Sequence, residues 1–419
     1  MTTYRIPYGH DERQLDIPDN YHVDVIAPAD YPAAPDALVV IRESIQHPVG
    51  GFLLKNFRDA KSAAIAINDK TRPVPHQYLL PPLLEALIGL GIAKENIKLI
   101  IATGTHLPMP VEEFCQIIPP DIIKNFPIIP HNSDDSSSLI ELGTTLHGTR
   151  VLVNRCFYES DVRVVVGNIE PHHFMGFSGG VKSAAIGLAA RDTINQNHAM
   201  LTDPDARIAE YERNPMRQDV EDIGKLMGVH FALNAVLNGK KQIVQAFAGD
   251  PLAVMQEGIK LAHQVCQTPV HTKYDLVIAS PGGHPKDINL YQAQKALTHA
   301  SLIARDGATV ILVAACPEGS GSRSYEQFMD GVSSHEAVFE KFTREGFRIG
   351  PHKAFQIARE AMRLRILLVS EMPDELAKRL LLFSTDDLQK AFSLAIERSN
   401  DSLRIAILPR ATNTIPDFQ

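Results

Sequence analysis

Short apolar runs recur along the chain, and each one ends in a polar or glycine-rich turn. The first covers residues 63–67 and is followed by a polar loop and by a helical pattern of apolar residues over 79–90. Two more runs lie at 98–102 and 161–166. Runs of this length are typical of strands buried on both faces, and their alternation with helices predicts a doubly wound, mostly parallel sheet of the α/β class.

A different pattern follows the third run. Residues 229–237 and 242–248 are two strand-like segments that flank Asn238-Gly239. An Asn-Gly pair between two such segments favours the positive φ angles of a tight hairpin turn. We therefore expect a β-hairpin, added to the first domain as an antiparallel extension.

A second set of apolar runs indicates a second α/β domain. Its strands are expected at 274–279, 308–313 and 364–369, with the last run of the chain, 403–408, as a further candidate. The segment between the two sets, 267–273, is polar and contains a proline, so it is the predicted hinge.

These patterns place the first domain at 1–266 and the second at 272–395. A cleft between two α/β domains commonly holds a small-ligand site, so we expect the active site there.

Composition excludes several classes of protein. The chain has 419 residues, 44% hydrophobic and 21% charged, which describes an ordinary globular protein. Its formal charge of −8 argues against nucleic acid as a partner, and the apolar runs are too short to span a membrane. The first residues lack the apolar core of a signal peptide, and the four cysteines are far apart. We expect a cytoplasmic protein with reduced thiols.

Reactive side chains follow three of the predicted strands. Asp69-Lys70-Thr71-Arg72-Pro73 follows the first, Gly104-Thr105-His106 the second, and the segment 170–198 the third. That segment combines two adjacent histidines, a glycine-rich turn with a lysine, and a third histidine sixteen residues beyond the lysine. Because the carboxyl ends of parallel strands meet at one edge of a sheet, these groups are candidates for one site.

The glycine-rich turn is not a nucleotide-triphosphatase P-loop. In a P-loop the lysine directly follows the last glycine, whereas Val181 separates Gly180 from Lys182 here. The backbone N–H groups of the turn could still bind a phosphate, as helix starts commonly do.

The ordered set of motifs resembles the nickel-dependent lactate racemase family, whose members interconvert the stereoisomers of 2-hydroxy acids. The resemblance covers almost the whole chain and rests on these segments in family order: Asp69-x-Thr71-Arg72-Pro73-Val74-Pro75, Gly104-Thr105-His106, Pro171-His172, Gly176-Phe177-Ser178-Gly179-Gly180-x-Lys182, Asn197-His198, and Tyr291-Gln292 with Lys295. It implies two α/β domains, with 396–419 returned to the first, cofactor-binding domain.

The resemblance also implies a cofactor, a nickel pincer nucleotide built by separate enzymes. Lys182 would be joined to it covalently, since an amine can form that bond. His198 would be the nickel ligand, because imidazole suits nickel(II). Hydride would pass reversibly from substrate to cofactor through a 2-keto acid intermediate, since no amino-acid side chain accepts hydride.

Two histidines are expected to act as the bases, one for each enantiomer. The resemblance assigns these roles to His106 and His172, and an imidazole that titrates near neutrality can take and return the hydroxyl proton. His173 is adjacent, but successive side chains are expected to point in different directions, and the spacing to Lys182 selects His172.

The remaining assignments concern cofactor and substrate binding. Arg72 offers a fork that suits a carboxylate or a phosphate, and Lys295 offers a point charge from the second domain. The cofactor-binding set is Asp69, Thr71, Arg72, Ser178, Gly179, Gly180 and Lys182, and the substrate set is Arg72, Tyr291, Gln292 and Lys295.

Two features depart from the family pattern. Leu107 follows the histidine where an arginine is common, and the chain has no tryptophan, which lines the pocket of lactate-acting members. We therefore expect a substrate larger or more polar than lactate.

Two alternatives remain open from the sequence. One is a zinc hydrolase that uses His106, His172, His173 and His198, although no HExxH motif accompanies them. The other is a non-catalytic nucleotide-binding protein whose glycine-rich turn binds a phosphate.

Overall fold

The computed structural model describes residues 1–28, 30–51, 53–397 and 403–418. Within these residues the strands, in chain order from β1 to β20, are Thr2–Tyr8, Asp11–Ile17, His22–Val25, Ala63–Asn68, Ile97–Ala102, Ile128–Pro130, Leu139–Thr144, Arg150–Asn154, Val162–Asn168, Pro171–His172, Gly176–Phe177, Phe231–Leu237, Ile243–Gly249, Gln267–Val270, Tyr274–Ala279, Ala304–Val313, Arg365–Val369, Phe383–Thr385, Arg404–Leu408 and Ile415–Phe418.

The α-helices of the same residues, from α1 to α14, are Ala37–Gln46, His76–Gly89, Pro120–Asn125, Arg155–Tyr158, Lys182–Ala185, Arg191–Ala199, Pro215–Met227, Pro251–Cys266, Leu290–Ile303, Arg323–Met329, His335–Glu345, Pro351–Ala361, Asp374–Arg379 and Leu388–Ile396. Short 3₁₀ turns lie at Leu54–Phe57, Lys94–Asn96, Val111–Gln116, Ser136–Ser138, Met200–Thr202 and Ala411–Asn413. No helix in the described ranges is both long and apolar enough to cross a bilayer.

The chain forms two compact units. The central unit is Asp30–Val265, and the terminal unit combines Met1–Ala29 with Cys266–Gln419. Each unit contains a six-stranded sheet, so the fold class expected from the sequence, two α/β domains with mostly parallel sheets, is confirmed.

The sheet of the central unit has the strand order β13-β12-β9-β4-β5-β6. All its neighbours are parallel except β12 and β13, which form the predicted antiparallel hairpin. From β4 the chain adds β5 and β6 on one side, then β9 and β12 on the other. The switch point of this sheet therefore lies between the carboxyl ends of β4 and β9, where α/β proteins commonly bind ligands.

The strands of this sheet form because their apolar runs are buried on both faces. Residues 63–67 and the valines of β9 are almost fully buried, and helices cover the sheet as expected for parallel strands. One core cluster joins β4, β5, β9 and the hairpin to α1 and α2. The rigid layer that results fixes the positions of the loops at its carboxyl edge.

The sheet of the terminal unit has the order β18-β17-β16-β15-β19-β3, and all its strands are parallel. The β1–β2 hairpin packs its apolar residues into the core of this unit, together with β15, β16, β17 and α14.

The domain boundaries expected from the sequence need two corrections. The N-terminal segment, assigned to the first domain, belongs to the terminal unit. The C-terminal strand β19 pairs with β15 and β3, so its described residues complete the second sheet and do not return to the first. The predicted hinge, 267–273, lies directly after the boundary between the two units at Val265 and Cys266, and it contains β14, which pairs with β20.

A buried histidine in α2 gives a stability prediction. His76 is 1% exposed, and burial lowers its pKa to about 4, although its hydrogen bond to the carbonyl oxygen of Ile117 opposes this. In the unfolded chain the pKa of His76 is near 6.5, so between about pH 6.5 and pH 4 the unfolded state binds more protons than the folded state. The contribution of His76 to the free energy of unfolding therefore decreases as the pH is lowered through this window. Across the whole window, His76 lowers the free energy of unfolding by roughly 3 kcal/mol.

We expect His76→Gln to weaken this pH dependence when unfolding free energies are measured by denaturant titration from pH 7 to pH 4. The control is His147→Gln, because His147 is exposed. An equal pH dependence in both variants would contradict the prediction.

Candidate active site

The candidate site lies at the carboxyl edge of the central sheet, at its switch point. Here the chain leaves β4 at Asn68, β5 at Ala102 and β9 at Asn168. A small cavity of about 40 Å³ lies between these strand ends. Its lining residues are Asn68, Arg72, Pro73, Val74, Ala102, Asn168, Glu170, Ser178, Gly179, Lys182, Ser183 and Gly187.

Lys182 is the first residue of α5 and is 7% exposed. Burial, together with the nearby charges of Arg72 and Arg217, lowers its pKa well below the ordinary value, against the opposing charge of Glu170. Its amine makes no hydrogen bond to any residue that the structure describes. A lowered pKa favours the neutral form of the amine, which is the nucleophilic form.

The turn before Lys182 requires glycine. Gly179 has a φ of +93°, and a Cβ there would lie 2.7 Å from Cγ1 of Ile169 and 2.9 Å from the carbonyl oxygen of Asn168. The turn is therefore packed directly against the end of β9, which places Lys182 over the cavity.

The backbone N–H groups of this turn are largely engaged by the protein. The N–H of Ser178 donates to the carbonyl oxygen of Glu170 at 2.8 Å, and the N–H of Gly180 donates to Oδ1 of Asn234 at 2.7 Å. These two groups therefore do not form the open phosphate cradle that the sequence suggested.

His198 lies in the last turn of α6 and is half-buried. Its Nδ1 lies 2.9 Å from the carbonyl oxygen of Ile194, to which it donates. Burial, with the charges of Lys182 and Arg72, lowers the pKa of His198 to about 3. The ring is therefore neutral with its lone pair on Nε2, the form in which imidazole binds a metal.

His106 is paired with Asp69 across two neighbouring strand ends. Its Nδ1 lies 2.8 Å from Oδ2 of Asp69, whose Oδ1 accepts from the backbone N–H and hydroxyl of Thr71. Burial raises the pKa of Asp69, but the hydrogen bonds from His106 and Thr71 and the charge of Arg72 reverse this and lower it overall. An ionised Asp69 must accept from Nδ1, so in the neutral ring Nε2 of His106 carries the lone pair.

His172 and His173 do not point in different directions, contrary to the expectation from the sequence. Their rings are stacked with centroids 4.6 Å apart, because the strand of Pro171–His172 ends at once in a turn. Nδ1 of His172 accepts from the backbone N–H of Met175 at 3.2 Å. A neutral His172 therefore carries its proton on Nε2.

The structure gathers the other assigned residues of the central unit around the same strand ends. Arg72 and Ser178 line the cavity, whereas Thr71 bonds to Asp69 and Gly180 to Asn234. Asp69, assigned to the cofactor, contacts His106 instead.

The remaining assigned residues lie in the first turns of α9, in the terminal unit. Nζ of Lys295 donates to Oε1 of Gln292 at 2.8 Å. Tyr291 lies under the amine of Lys353, which is 4.9 Å from its ring centroid. His284, also in the terminal unit, stacks on His10 with ring centroids 4.1 Å apart.

Sequence reasoning missed the asparagines of this site. Asn168 is 7% exposed, its Nδ2 donates to the carbonyl oxygen of Pro73 at 3.1 Å, and its buried Oδ1 has no partner among the described residues. Asn68 accepts from the hydroxyl of Ser183 at 3.4 Å. A signal was present, because an asparagine ends each of two neighbouring strands.

Family models match both parts of the chain. The lactate racemase N-terminal domain matches residues 8–209, and the lactate racemase C-terminal domain matches residues 270–415. The chain belongs to the lactate racemase family. The resemblance seen in the ordered motifs is thus confirmed.

Relatives within the lactate racemase family cover nearly the whole chain. A lactate racemase of Thermoanaerobacterium thermosaccharolyticum is 28% identical over 99% of both chains, and one of Lactiplantibacillus plantarum is 29% identical over 90% of both. The solved lactate racemase apoprotein from Thermoanaerobacterium thermosaccharolyticum superposes with a TM-score of 0.91 at 27% identity, over 99% of this chain and 100% of that one. A Thermotoga maritima protein at 18% identity, with a TM-score of 0.67, shares the fold.

Proposed function

We propose that this protein is an isomerase that interconverts the stereoisomers of a 2-hydroxy acid, with a nickel pincer nucleotide attached through Lys182. The observation that carries the proposal is the meeting of three groups at one switch point. They are the buried amine of Lys182, the imidazole of His198 with its lone pair on Nε2, and the His106–Asp69 pair.

The residues present fit this cofactor. A covalent tether needs an unprotonated amine, which the lowered pKa of the buried Lys182 favours. A group that brings its own donors needs few ligands from the protein, and no set of three or more His, Cys, Asp or Glu side chains in the described ranges is arranged to hold a metal ion by itself. The unpartnered Oδ1 of Asn168, in the same cavity, leaves an acceptor for a bound group.

Lys182 and His198 would hold the cofactor, which would supply a reversible acceptor for the C2 hydrogen and its electron pair, a role that no side chain can fill. His106 acts on the hydroxyl group of the substrate. Its Nε2 takes the hydroxyl proton, and the ionised Asp69 stabilises the resulting imidazolium. Loss of the hydroxyl proton to His106, together with loss of the C2 hydrogen and its electron pair, leaves a planar 2-keto acid that is open to attack on both faces.

His172 acts on the other enantiomer, and the structure supports an asymmetry between the two bases. In the neutral ring, Nε2 of His172 carries the proton, because Nδ1 accepts from the backbone N–H of Met175. To accept a proton at Nε2, His172 must first carry its own proton on Nδ1. This change breaks the hydrogen bond from Met175, so the 172–175 turn has to adjust before His172 acts as the base.

Substrate binding is assigned to Arg72, with Tyr291, Gln292 and Lys295. Arg72 lines the cavity, and its guanidinium suits a carboxylate. Gln292 and Lys295 are already oriented towards each other by their hydrogen bond. Gln292 would offer the substrate an amide for hydrogen bonding, and Lys295 would offer it a positive charge.

The substrate is proposed to be larger or more polar than lactate, since no tryptophan is present to fill the space beside a small methyl group. Protein co-expressed with cofactor-making enzymes should racemise longer or hydroxylated 2-hydroxy acids with a higher kcat/KM than lactate. Chiral chromatography over a panel of acids that includes lactate measures this. A clear preference for lactate would contradict the substrate proposal, and the absence of racemisation of every acid would contradict the proposed activity.

A further inference from the structure

Helix α7 (Pro215–Met227) lies behind the site and provides three buried contacts that no motif of the sequence indicated. It begins at Pro215, with Asn214 as its cap, and ends at Gly228 in the left-handed conformation. The helix packs against both α5, which begins at Lys182, and α6, which carries His198. It therefore adjoins both of the residues that are proposed to hold the cofactor.

Arg217 joins α7 to the turn before Lys182. Its side chain is fully buried, and Nη1 donates to the carbonyl oxygens of Phe177 and Gly179, both at 3.2 Å. Nε and Nη2 donate to one carboxylate oxygen of Glu221, which also accepts from the hydroxyl of Tyr211. One guanidinium group on α7 thus holds two carbonyl groups of the glycine turn in place.

Gly224 lies on the same face of α7, and its contact shows how closely the helix approaches the turn. A Cβ at this position would lie 2.5 Å from Cβ of Val181, the residue directly before Lys182. Any side chain at 224 would therefore push the turn away from the helix.

Asp219 joins α7 to the helix that carries His198. Two residues along an α-helix turn the side chain by about 200°, so Asp219 points away from Arg217. Its buried carboxylate accepts from Nδ2 of Asn197 at 2.8 Å and from the hydroxyls of Thr145 and Thr149. Asn197, the residue before His198, also donates to the carbonyl oxygen of Met216 on α7.

We infer that α7 sets the separation between Lys182 and His198, with Arg217 positioning the tether and Asp219 positioning the metal ligand. This inference rests on the proposed function, because it concerns a group that must reach both residues at once. A tethered metal group is sensitive to that separation, and residues that orient a metal ligand affect metal affinity by roughly 10- to 100-fold.

The test uses full-length protein co-expressed with cofactor-making enzymes. Intact mass and peptide mass give the fraction of Lys182 that carries the adduct, and elemental analysis gives nickel per adduct. Arg217→Lys keeps the positive charge but loses the fork, so the adduct fraction should fall by roughly tenfold, the factor that corresponds to one charge-assisted hydrogen bond. Gly224→Ala should act in the same direction, because it displaces the same turn.

Asp219→Asn should affect the position of His198 and leave that of Lys182 unchanged. It nearly conserves shape but loses an acceptor for Asn197, so the adduct should form while nickel affinity falls by roughly 10- to 100-fold. A variant that changes only one of the two readouts, the adduct fraction or the nickel content, has a positioning defect. A variant that is merely less stable should lower both readouts together.

The matched control is Arg163→Lys. Arg163 also donates to backbone carbonyl oxygens, those of Tyr158, Ser160 and Gly228, and so anchors the far end of the same helix. We expect near-normal adduct and nickel in this variant. Variants at 217 and 219 that match the control, or that lose both readouts in parallel, would overturn the inference. Wild-type protein without an adduct on Lys182 would instead refute the proposed function.

Discussion

Replacing Lys182 by alanine is expected to abolish both the covalent adduct and racemisation. The amine of Lys182 is the only part of its side chain that can form the bond, and burial lowers its pKa, which favours the reactive neutral form. A peptide that contains Lys182 should gain mass when wild-type protein is co-expressed with cofactor-making enzymes. The alanine variant should show no such gain at any lysine.

Two controls make this result specific. Lys182→Arg keeps a long basic side chain but has no nucleophilic amine, so it should also lose the adduct. Lys353 is likewise almost fully buried and has a pKa far below the ordinary value, because of burial and the charge of Lys295. Lys353→Met should keep the adduct at Lys182. An adduct at Lys353, or one that persists in both Lys182 variants, would show that the tether is elsewhere.

The second large effect is expected at His106. Replacing it by glutamine removes the proton acceptor at Nε2, and general-base catalysis of this kind contributes roughly 10²- to 10⁴-fold to the rate. Asp69→Asn should cause a smaller loss in the same direction, because it leaves His106 in place but removes the charge that stabilises the imidazolium. Adduct formation at Lys182 should be largely unchanged in both variants.

Single-turnover assays with each pure enantiomer measure these losses. His106→Gln should impair one direction more than the other, and His172→Gln should show the opposite preference. His173→Gln is the informative control, because its ring stacks on His172 and only the spacing argument separates the two. If the variants at 106 and 172 both keep turnover in both directions, these histidines are structural.

The strands that position the site could be predicted from the sequence because their signal is local. The run 63–67 is apolar at every position, and its strand is buried on both faces in the structure. The groups that follow these strands, such as His106 and Asp69, meet because parallel strands bring their carboxyl ends together.

The domain boundary at the N-terminus could not be predicted in the same way. The strands Thr2–Tyr8 and Asp11–Ile17 each bury only two side chains near their ends, Ile6 and Tyr8 in one and Leu15 and Ile17 in the other, and these do not identify the core that they cover. That core lies in strands more than 250 residues further along the chain, beginning at Leu276. Only the tertiary packing of the chain places it there.

Arg217 was missed for another reason. Arg217 and Glu221 have the i, i+4 spacing of an ordinary ion pair on a solvated helix face. In the structure the same pair is buried, and its guanidinium binds the glycine turn. Sequence spacing gives the pair but not its burial, which depends on how α7 packs against α5.

The most direct test of the proposed function follows the hydrogen at C2. Wild-type protein whose Lys182 adduct has been confirmed by mass would be given C2-deuterated lactate, and then the best acid of the panel in the same labelled form. If the C2 hydrogen leaves with its electrons and does not exchange with water, the inverted product keeps its deuterium, and unlabelled substrate in heavy water gains little. Inversion with rapid loss of the label would mean that His106 or His172 removes the C2 proton directly, and would contradict the proposed function.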